Sequence, residues 1–164
     1  MELWDAYNKD GRLAGVDLVR GQPIPNGLYH IVSEVLVKHI DGSFLLMQRD
    51  WRKIGYPGFF ETGAGGAVLK GETPYDGALR ELREETGISA NELTHIFTYN
   101  DMNHIFFYGY LCITDCDKSS ITLQKGETIS YRWLSRDEFL QFIETDSCIP
   151  FQRERWSLFI KNII

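Results

Sequence analysis

Apolar runs separated by polar turns predict that much of the chain forms β-strands. The run YHIVSEVLVK (29–38), the turn Asp41-Gly42 and the run FLLMQR (44–49) predict a hairpin in the sheet core, because Asp-Gly between two apolar runs is typical of a tight β-turn. Upstream, LWDAYN and RLAGVDLV flank Lys9-Asp10-Gly11 and predict a smaller hairpin inside an N-terminal extension, residues 1–28. Three more strands are predicted by the β-branched and aromatic runs LTHIFTYN (93–100), IFFYGYLCIT (105–114) and TISYRWL (128–134).

Three segments carry helix signals instead. Thr73 suits an N-cap, Pro74 the first helical position and Gly87 a left-handed C-cap, which predicts a helix over 74–86. Ser135 and Glu138 have the spacing of a capping box and predict a second helix through about Phe142. A final helix is predicted from Pro150 through RERWSLFIKNII, with an apolar stripe that packs on the sheet: Phe151, Trp156, Phe159, Ile160 and Ile163. This order of elements predicts an α/β (α+β) fold, a mixed α/β sandwich in which helices cover a sheet.

Length and composition limit the classes of function. With 164 residues, 43% of them hydrophobic and 24% charged, the chain is expected to form one domain, residues 1–164. A net charge of -6 disfavours nucleic acid and anionic membranes as partners. Because no apolar run approaches the roughly 20 residues of a membrane span, and the three cysteines have no metal-ligand spacing, we expect a cytoplasmic location.

The predicted helix over 74–86 concentrates negative charge. With about 100° per residue, Glu84 and Glu85 fall within about 60° of Glu81, beside the apolar stripe of the same helix. One interpretation is a solvated acidic surface, in which the two neighbouring arginines soften the repulsion. The other is a site for a hard divalent cation, which prefers carboxylate oxygens. Charge alone does not decide between them.

The spacing around these glutamates is more specific. Gly66, Glu72 and the run Arg80-Glu81-Leu82-Arg83-Glu84-Glu85-Thr86-Gly87-Ile88 match in full the pattern G-x5-E-x7-R-E-U-x-E-E-x-G-U, where U is aliphatic. The segment 66–88 therefore resembles the Nudix box of the Nudix hydrolase family. This resemblance implies the Nudix fold, a mixed β-sheet between helices, in which the box forms a loop-helix-loop.

The resemblance also implies roles for residues. Mg²⁺, with Mn²⁺ as an alternative, would be held by Glu81, Glu84, Glu85 and the carbonyl of Gly66, and would bridge to a small diphosphate substrate. Glu72 and Arg80 would support these ligands, because a guanidinium can fix carboxylates through paired hydrogen bonds. The expected reaction is attack of water on phosphorus in a nucleoside diphosphate linked to another moiety.

Some roles stay open at this point. Either Glu81 or Glu127, an acid outside the box just before a predicted strand, could be the general base. Three cations, Arg49, Lys53 and Lys70, could contact substrate phosphates or could simply be solvated. Aromatic residues that could stack on a base or belong to the core are Phe59, Phe60, Tyr99 and Phe107. The four histidines show no ligand spacing and are assigned no role.

Two other functions compete with hydrolysis. The segments ELWDAYNKDGRLAG, PIPNGLYHIVSEVLV and YPGFFETGAGGAVLKGET are similar to a Nudix subgroup that resembles isopentenyl-diphosphate isomerase. Those isomerases need a cysteine and histidines where this chain has ETGAGGAV, with Gly65 at about the cysteine position, so the isomerase is disfavoured. A Nudix module that binds nucleotides without catalysis is disfavoured because the box is complete. A homodimer is compatible with the sequence.

Overall fold

A computed structural model describes residues 1–101, 103–160 and 163 of the chain. Within these residues nine strands and three helices follow one another. The strands are β1 (Leu3–Asn8), β2 (Leu13–Val19), β3 (Leu28–His39), β4 (Phe44–Arg49), β5 (Phe60–Thr62), β6 (Ala64–Ala67), β7 (Thr94–Asn100), β8 (Ile105–Thr114) and β9 (Thr128–Leu134). The helices are α1 (Pro74–Thr86), α2 (Arg136–Glu144) and α3 (Pro150–Phe159).

The long strand β3 organises the sheet. It pairs antiparallel with β1, β4 and β6, and parallel with β8 from His30 opposite Ile105 to His39 opposite Thr114. The other strands extend this centre, since β2 pairs with β1, β7 with β8, and both β5 and β9 with β4. The sheet is therefore mixed, as the resemblance to the Nudix fold implied.

Alternate residues of β3 face two separate cores, because successive side chains of a strand point to opposite faces. Val35 and Val37 share a cluster with Ala78 and Leu82 of α1. Leu36, between them, belongs to a second cluster, which includes Phe139 of α2, Trp156 of α3 and Ile160 just after α3. Helix α1 thus covers one face of the sheet while α2 and α3 cover the other, which confirms the predicted arrangement of a sheet between helices.

Local sequence signals located most elements correctly. Both predicted hairpins form, and α1 has the predicted bounds, with a capping box between Thr73 and Asp76 and Gly87 at a φ of 77°. The capping box at Ser135 also forms, and α2 continues to Glu144, two residues beyond the predicted end. The sequence did not predict β5 and β6, because FET is short and AGGA has neither β-branched nor large apolar side chains.

One prediction for the last helix is wrong. Phe151 does not pack on the sheet: it is 43% exposed, and its ring lies against Tyr56 at a centroid distance of 5.4 Å. It lies in the first turn of α3, where Gln152 rather than Phe151 takes the buried position. Positions 161, 162 and 164 of the predicted helix, and Met102 in the turn before β8, lie outside the described residues.

Candidate functional site

The box residues meet where β6 leads into α1. Gly66 in β6 lies directly beside the Glu81 carboxylate of α1, so close that a methyl group at this position would overlap it. A side chain at position 66 would therefore displace the Glu81 carboxylate, so glycine here permits close approach rather than a special backbone conformation. The backbone of β6 and the acidic face of α1 together form the floor of a cleft of about 400 Å³.

The three box glutamates differ in their exposure. Glu84 is exposed, the side chain of Glu81 is 13% exposed, and Glu85 is buried. The Glu85 carboxylate accepts a hydrogen bond from the Gly65 backbone N–H at 3.0 Å. Because Glu85 is buried under β6, the acidic cluster is not a plain solvated helix surface.

The guanidinium of Arg80 supports the floor of the cleft through hydrogen bonds to Glu72 and Glu81. Arg80 donates two hydrogen bonds to the Glu72 carboxylate, from Nε at 2.8 Å and Nη2 at 3.0 Å. It also donates to Glu81 at 2.5 Å and to the carbonyl of Ala67 at 2.9 Å. Hydrogen bonding from Arg80 holds the pKa of Glu72 below its usual value although burial opposes this. The paired hydrogen bonds fix Glu72 and Arg80 in one orientation beneath the cleft.

Burial also concentrates unfavourable charge at this site. It raises the pKa of Glu85 well above its ordinary value, and the nearby charges of Glu61 and Glu81 raise it further. Burial likewise raises the pKa of Glu81 and of Glu61, even though Arg49 pairs with Glu61 at 3.0 Å. Carboxylates held together out of water repel one another unless a cation or a proton compensates.

The donor set fits a hard divalent cation, which binds carboxylate and carbonyl oxygens. Among the described residues, however, no three His, Cys, Asp or Glu side chains already stand in a metal-binding arrangement. The contacts explain this, since Glu81 is engaged by Arg80 and Glu85 by the Gly65 N–H.

The structure brings some of the other predicted residues to the cleft. Glu127 lines it and forms an ion pair with Lys53, which also lines it. Arg49 and Lys70 are not among the lining residues. Arg49 is occupied by Glu61 and the carbonyl of Gly55, and Lys70 pairs with Asp17 at 2.6 Å on the exposed surface.

The sequence did not predict one side of the cleft. Glu2 just before β1, Trp4 in β1 and Arg20 just after β2 line it together with Gln124. By contrast, none of the predicted aromatic residues, Phe59, Phe60, Tyr99 and Phe107, lies among the lining residues. No local pattern marks Trp4 or Arg20, because their position depends on how the N-terminal hairpin folds over the sheet.

The cysteines lie elsewhere. Within the described part of the chain none of them lines the cleft: Cys112 and Cys148 are buried, and Cys116 is half-buried. Gly65 occupies the floor of the cleft at the position where the resembling isomerases carry cysteine. The site therefore offers carboxylates and no thiol.

A mixed sheet between helices, with a glutamate-rich helix beneath a cleft, is the architecture that the resemblance to Nudix proteins implied. The NUDIX domain model matches residues 29–150, and the chain belongs to the Nudix family. A Nudix hydrolase of Listeria monocytogenes, itself uncharacterized, is 32% identical over 152 residues, which cover 92% of this chain and 90% of that protein.

Solved structures share the fold. A protein of Deinococcus radiodurans superposes with a TM-score of 0.72 at 21% identity, covering 87% of this chain and 89% of that one. A MutT protein of Methanosarcina mazei superposes with a TM-score of 0.64 at 22% identity, covering 82% and 94%. In the described residues, no helix has the length and apolar character that crossing a membrane requires.

Proposed function

We propose that this chain hydrolyses the P–O–P bridge of a nucleoside diphosphate linked to another moiety, with Mg²⁺ as the metal and Mn²⁺ as an alternative. The observation that carries this proposal is the cluster of Glu81, Glu84 and Glu85 under the cleft, braced by Arg80 and Glu72. Nudix hydrolases generally use divalent metals, and the relatives of this chain carry that name.

The residues divide the chemistry among them. Glu81, Glu84, Glu85 and the carbonyl of Gly66 would hold the cation, which offsets phosphate charge and polarises phosphorus. Water attacks phosphorus, the bridging P–O bond breaks, and the leaving phosphate keeps the electron pair. Glu81 and Glu127 are the two candidates that accept the proton of the water, since both line the cleft. Lys53 lines the cleft in an ion pair with Glu127, and we propose that it contacts a substrate phosphate.

The test is a substrate screen on the whole chain with Mg²⁺, and again after chelation and metal replacement. The panel contains nucleotide sugars, dinucleoside polyphosphates, nucleoside triphosphates, ADP-ribose and isopentenyl diphosphate. We expect metal-dependent release of a nucleoside monophosphate from at least one nucleoside diphosphate derivative. Failure on every diphosphate would overturn the proposal, binding without turnover would indicate a nucleotide-binding module, and isomerised isopentenyl diphosphate would indicate the isomerase.

Mg²⁺ is expected to raise the Tm more at about pH 8 than at about pH 5. Burial raises the pKa of Glu85 and Glu81 above the ordinary value near 4.5. Without metal, folding stability therefore falls as the pH rises from about 4.5 through these raised pKa values, because the folded state resists deprotonation. A cation that needs deprotonated carboxylates reverses this trend. Scanning calorimetry with and without Mg²⁺ measures the difference, and an equal Mg²⁺ effect at both pH values would contradict it.

The cysteines and the net charge support a proposal for where the chain acts and on what size of substrate. We propose that the chain acts in the cytoplasm on small-molecule diphosphates, since its three cysteines are free, as is usual in a reducing compartment. Its net charge of -6 supports a small substrate that is attracted by local cations and a bound metal rather than a nucleic acid partner.

A further inference from the structure

Glu2 holds together two residues that line one side of the cleft, Trp4 and Arg20. Neither of them has a role in the proposed hydrolysis. The Glu2 carboxylate accepts a hydrogen bond from Trp4 Nε1 at 2.8 Å and another from Arg20 Nη1 at 2.8 Å. The backbone N–H of Arg20 donates to the Glu2 carbonyl at 3.1 Å. The two strands of the N-terminal hairpin therefore present an indole and a guanidinium side by side, facing the floor formed by α1.

Trp4 is held in a fixed orientation. Its ring stacks on that of His30, with a centroid distance of 4.4 Å and an interplanar angle of 12°. Burial lowers the pKa of His30 to about 4, so this supporting ring is neutral at neutral pH. The indole is half-buried and lines the cleft, and His30 covers one of its two faces. Of the described residues that line this cleft, Trp4 is the aromatic one.

Arg20 retains capacity to bind an anion. Among the residues that the structure describes, three cations line the cleft; Arg80 is committed to Glu72 and Glu81, and Lys53 pairs with Glu127. The Arg20 side chain is 57% exposed, and its hydrogen bond to Glu2 uses one of the five N–H donors of a guanidinium. The remaining donors can form the paired contacts that guanidinium makes with phosphate.

We propose that Trp4 and Arg20 form the recognition wall of this enzyme: Trp4 stacks on the base of a nucleoside diphosphate, and Arg20 binds a phosphate on the same substrate. This inference rests on the proposed hydrolysis of diphosphates and specifies which part of the substrate the hairpin reads. A flat ring gains stacking energy on a fixed indole. An aliphatic isoprenoid chain would instead have to lie among five glutamates that line the same cleft.

The test for Trp4 compares Trp4→Leu with Trp4→Phe. Leucine keeps apolar volume but cannot stack, whereas phenylalanine keeps a ring and loses the hydrogen bond to Glu2. For a nucleoside diphosphate derivative cleaved by the wild type, we expect Trp4→Leu to raise KM about tenfold or more with little change in kcat. Trp4→Phe should stay within about threefold, and inorganic pyrophosphate should be bound equally by all three proteins.

The test for Arg20 is Arg20→Gln, with Arg12→Gln as the matched control. Arg12 lies in the turn of the same hairpin with its side chain 85% exposed, and it does not line the cleft. Because Arg20 would contact phosphate rather than the base, Arg20→Gln should raise KM about tenfold for nucleoside diphosphate derivatives and for inorganic pyrophosphate alike. Arg12→Gln should leave both values within about twofold.

Calorimetric titration with ADP and CDP in the presence of Mg²⁺ gives a measurement that does not need turnover. We expect both Trp4→Leu and Arg20→Gln to weaken nucleotide binding about tenfold. Unchanged binding and KM in these variants, with hydrolysis intact in the wild type, would overturn the recognition wall alone. If the wild type is inert on all diphosphates but Trp4→Leu and Arg20→Gln both weaken nucleotide binding, the proposed hydrolysis is overturned and the recognition wall stands. Equal wild-type affinity for pyrophosphate and for both nucleotides would also overturn the recognition wall.

Discussion

Replacing Glu85 by glutamine is expected to reduce Mg²⁺-dependent hydrolysis at least about 100-fold. The substitution keeps the size of the side chain and an oxygen that accepts the Gly65 N–H. It removes one negative charge from the proposed ligand set, and therefore the metal-centred stabilisation of the transition state. We expect the loss mainly in kcat when the assay is run at saturating substrate and metal.

The structure also predicts that this loss is not caused by unfolding. Burial raises the pKa of Glu85, so a neutral amide should leave the metal-free protein as stable as the wild type or more stable. Calorimetry without metal separates the two effects. Glu92→Gln is the matched control, since Glu92 is exposed and does not line the cleft, and it should keep full activity. A fully active Glu85→Gln variant would defeat the proposed role of the cluster.

Replacing Arg155 by methionine is expected to lower the free energy of unfolding by about 3–5 kcal/mol. Arg155 from α3 forms a buried ion pair with Glu34 of β3, with side chains 3% and 5% exposed. Its guanidinium also lies over the ring of Phe107 at 3.6 Å from the centroid. Methionine fills much of the space but leaves the Glu34 carboxylate buried without its partner, which is costly.

Urea unfolding of matched variants measures this effect. Arg153→Met is the control, because Arg153 lies two residues away on α3 and pairs with the fully exposed Asp146, where an ion pair contributes little. It should cost less than about 1 kcal/mol. The double variant Glu34→Gln with Arg155→Met removes both charges and should recover part of the loss. A cost for Arg155→Met no larger than that of the control would contradict the prediction.

The parts of the fold that are determined by residues close together in the sequence could be predicted. Helix α1 is the clearest case, because Thr73, Pro74 and Gly87 satisfy its ends locally and the box spacing lies within it. The short strand β6 could not be found in this way, since its glycines pair with β3 and pass under Glu81 without any apolar pattern. Phe151 fitted the apolar stripe by periodicity, but the buried position at the start of α3 depends on contacts that periodicity does not contain.

The same difference between local sequence signals and distant contacts applies to the candidate site. The residues predicted for the floor of the cleft lie close together in sequence, from Gly66 to Glu85, and they line it. The buried pair of Arg155 and Glu34 spans 121 positions, and Trp4 reaches the cleft only through the pairing of β1 with β3. Such distant contacts leave no local signal. The four histidines likewise showed no ligand spacing, yet His30 supports the indole of Trp4.

The attachment of the N-terminal hairpin has a consequence for how such a protein diversifies. Strand β1 joins β3 at only two residue pairs, Tyr7 opposite Tyr29 and Asn8 opposite Leu28, with further hydrogen bonds to the backbone N–H groups of Lys70 and Gly71. The proposed catalytic floor belongs to β6 and α1, which pack on β3 without the hairpin. If Trp4 and Arg20 recognise the substrate as proposed, exchange of the hairpin during evolution would change the accepted substrate and leave the residues of the floor in place.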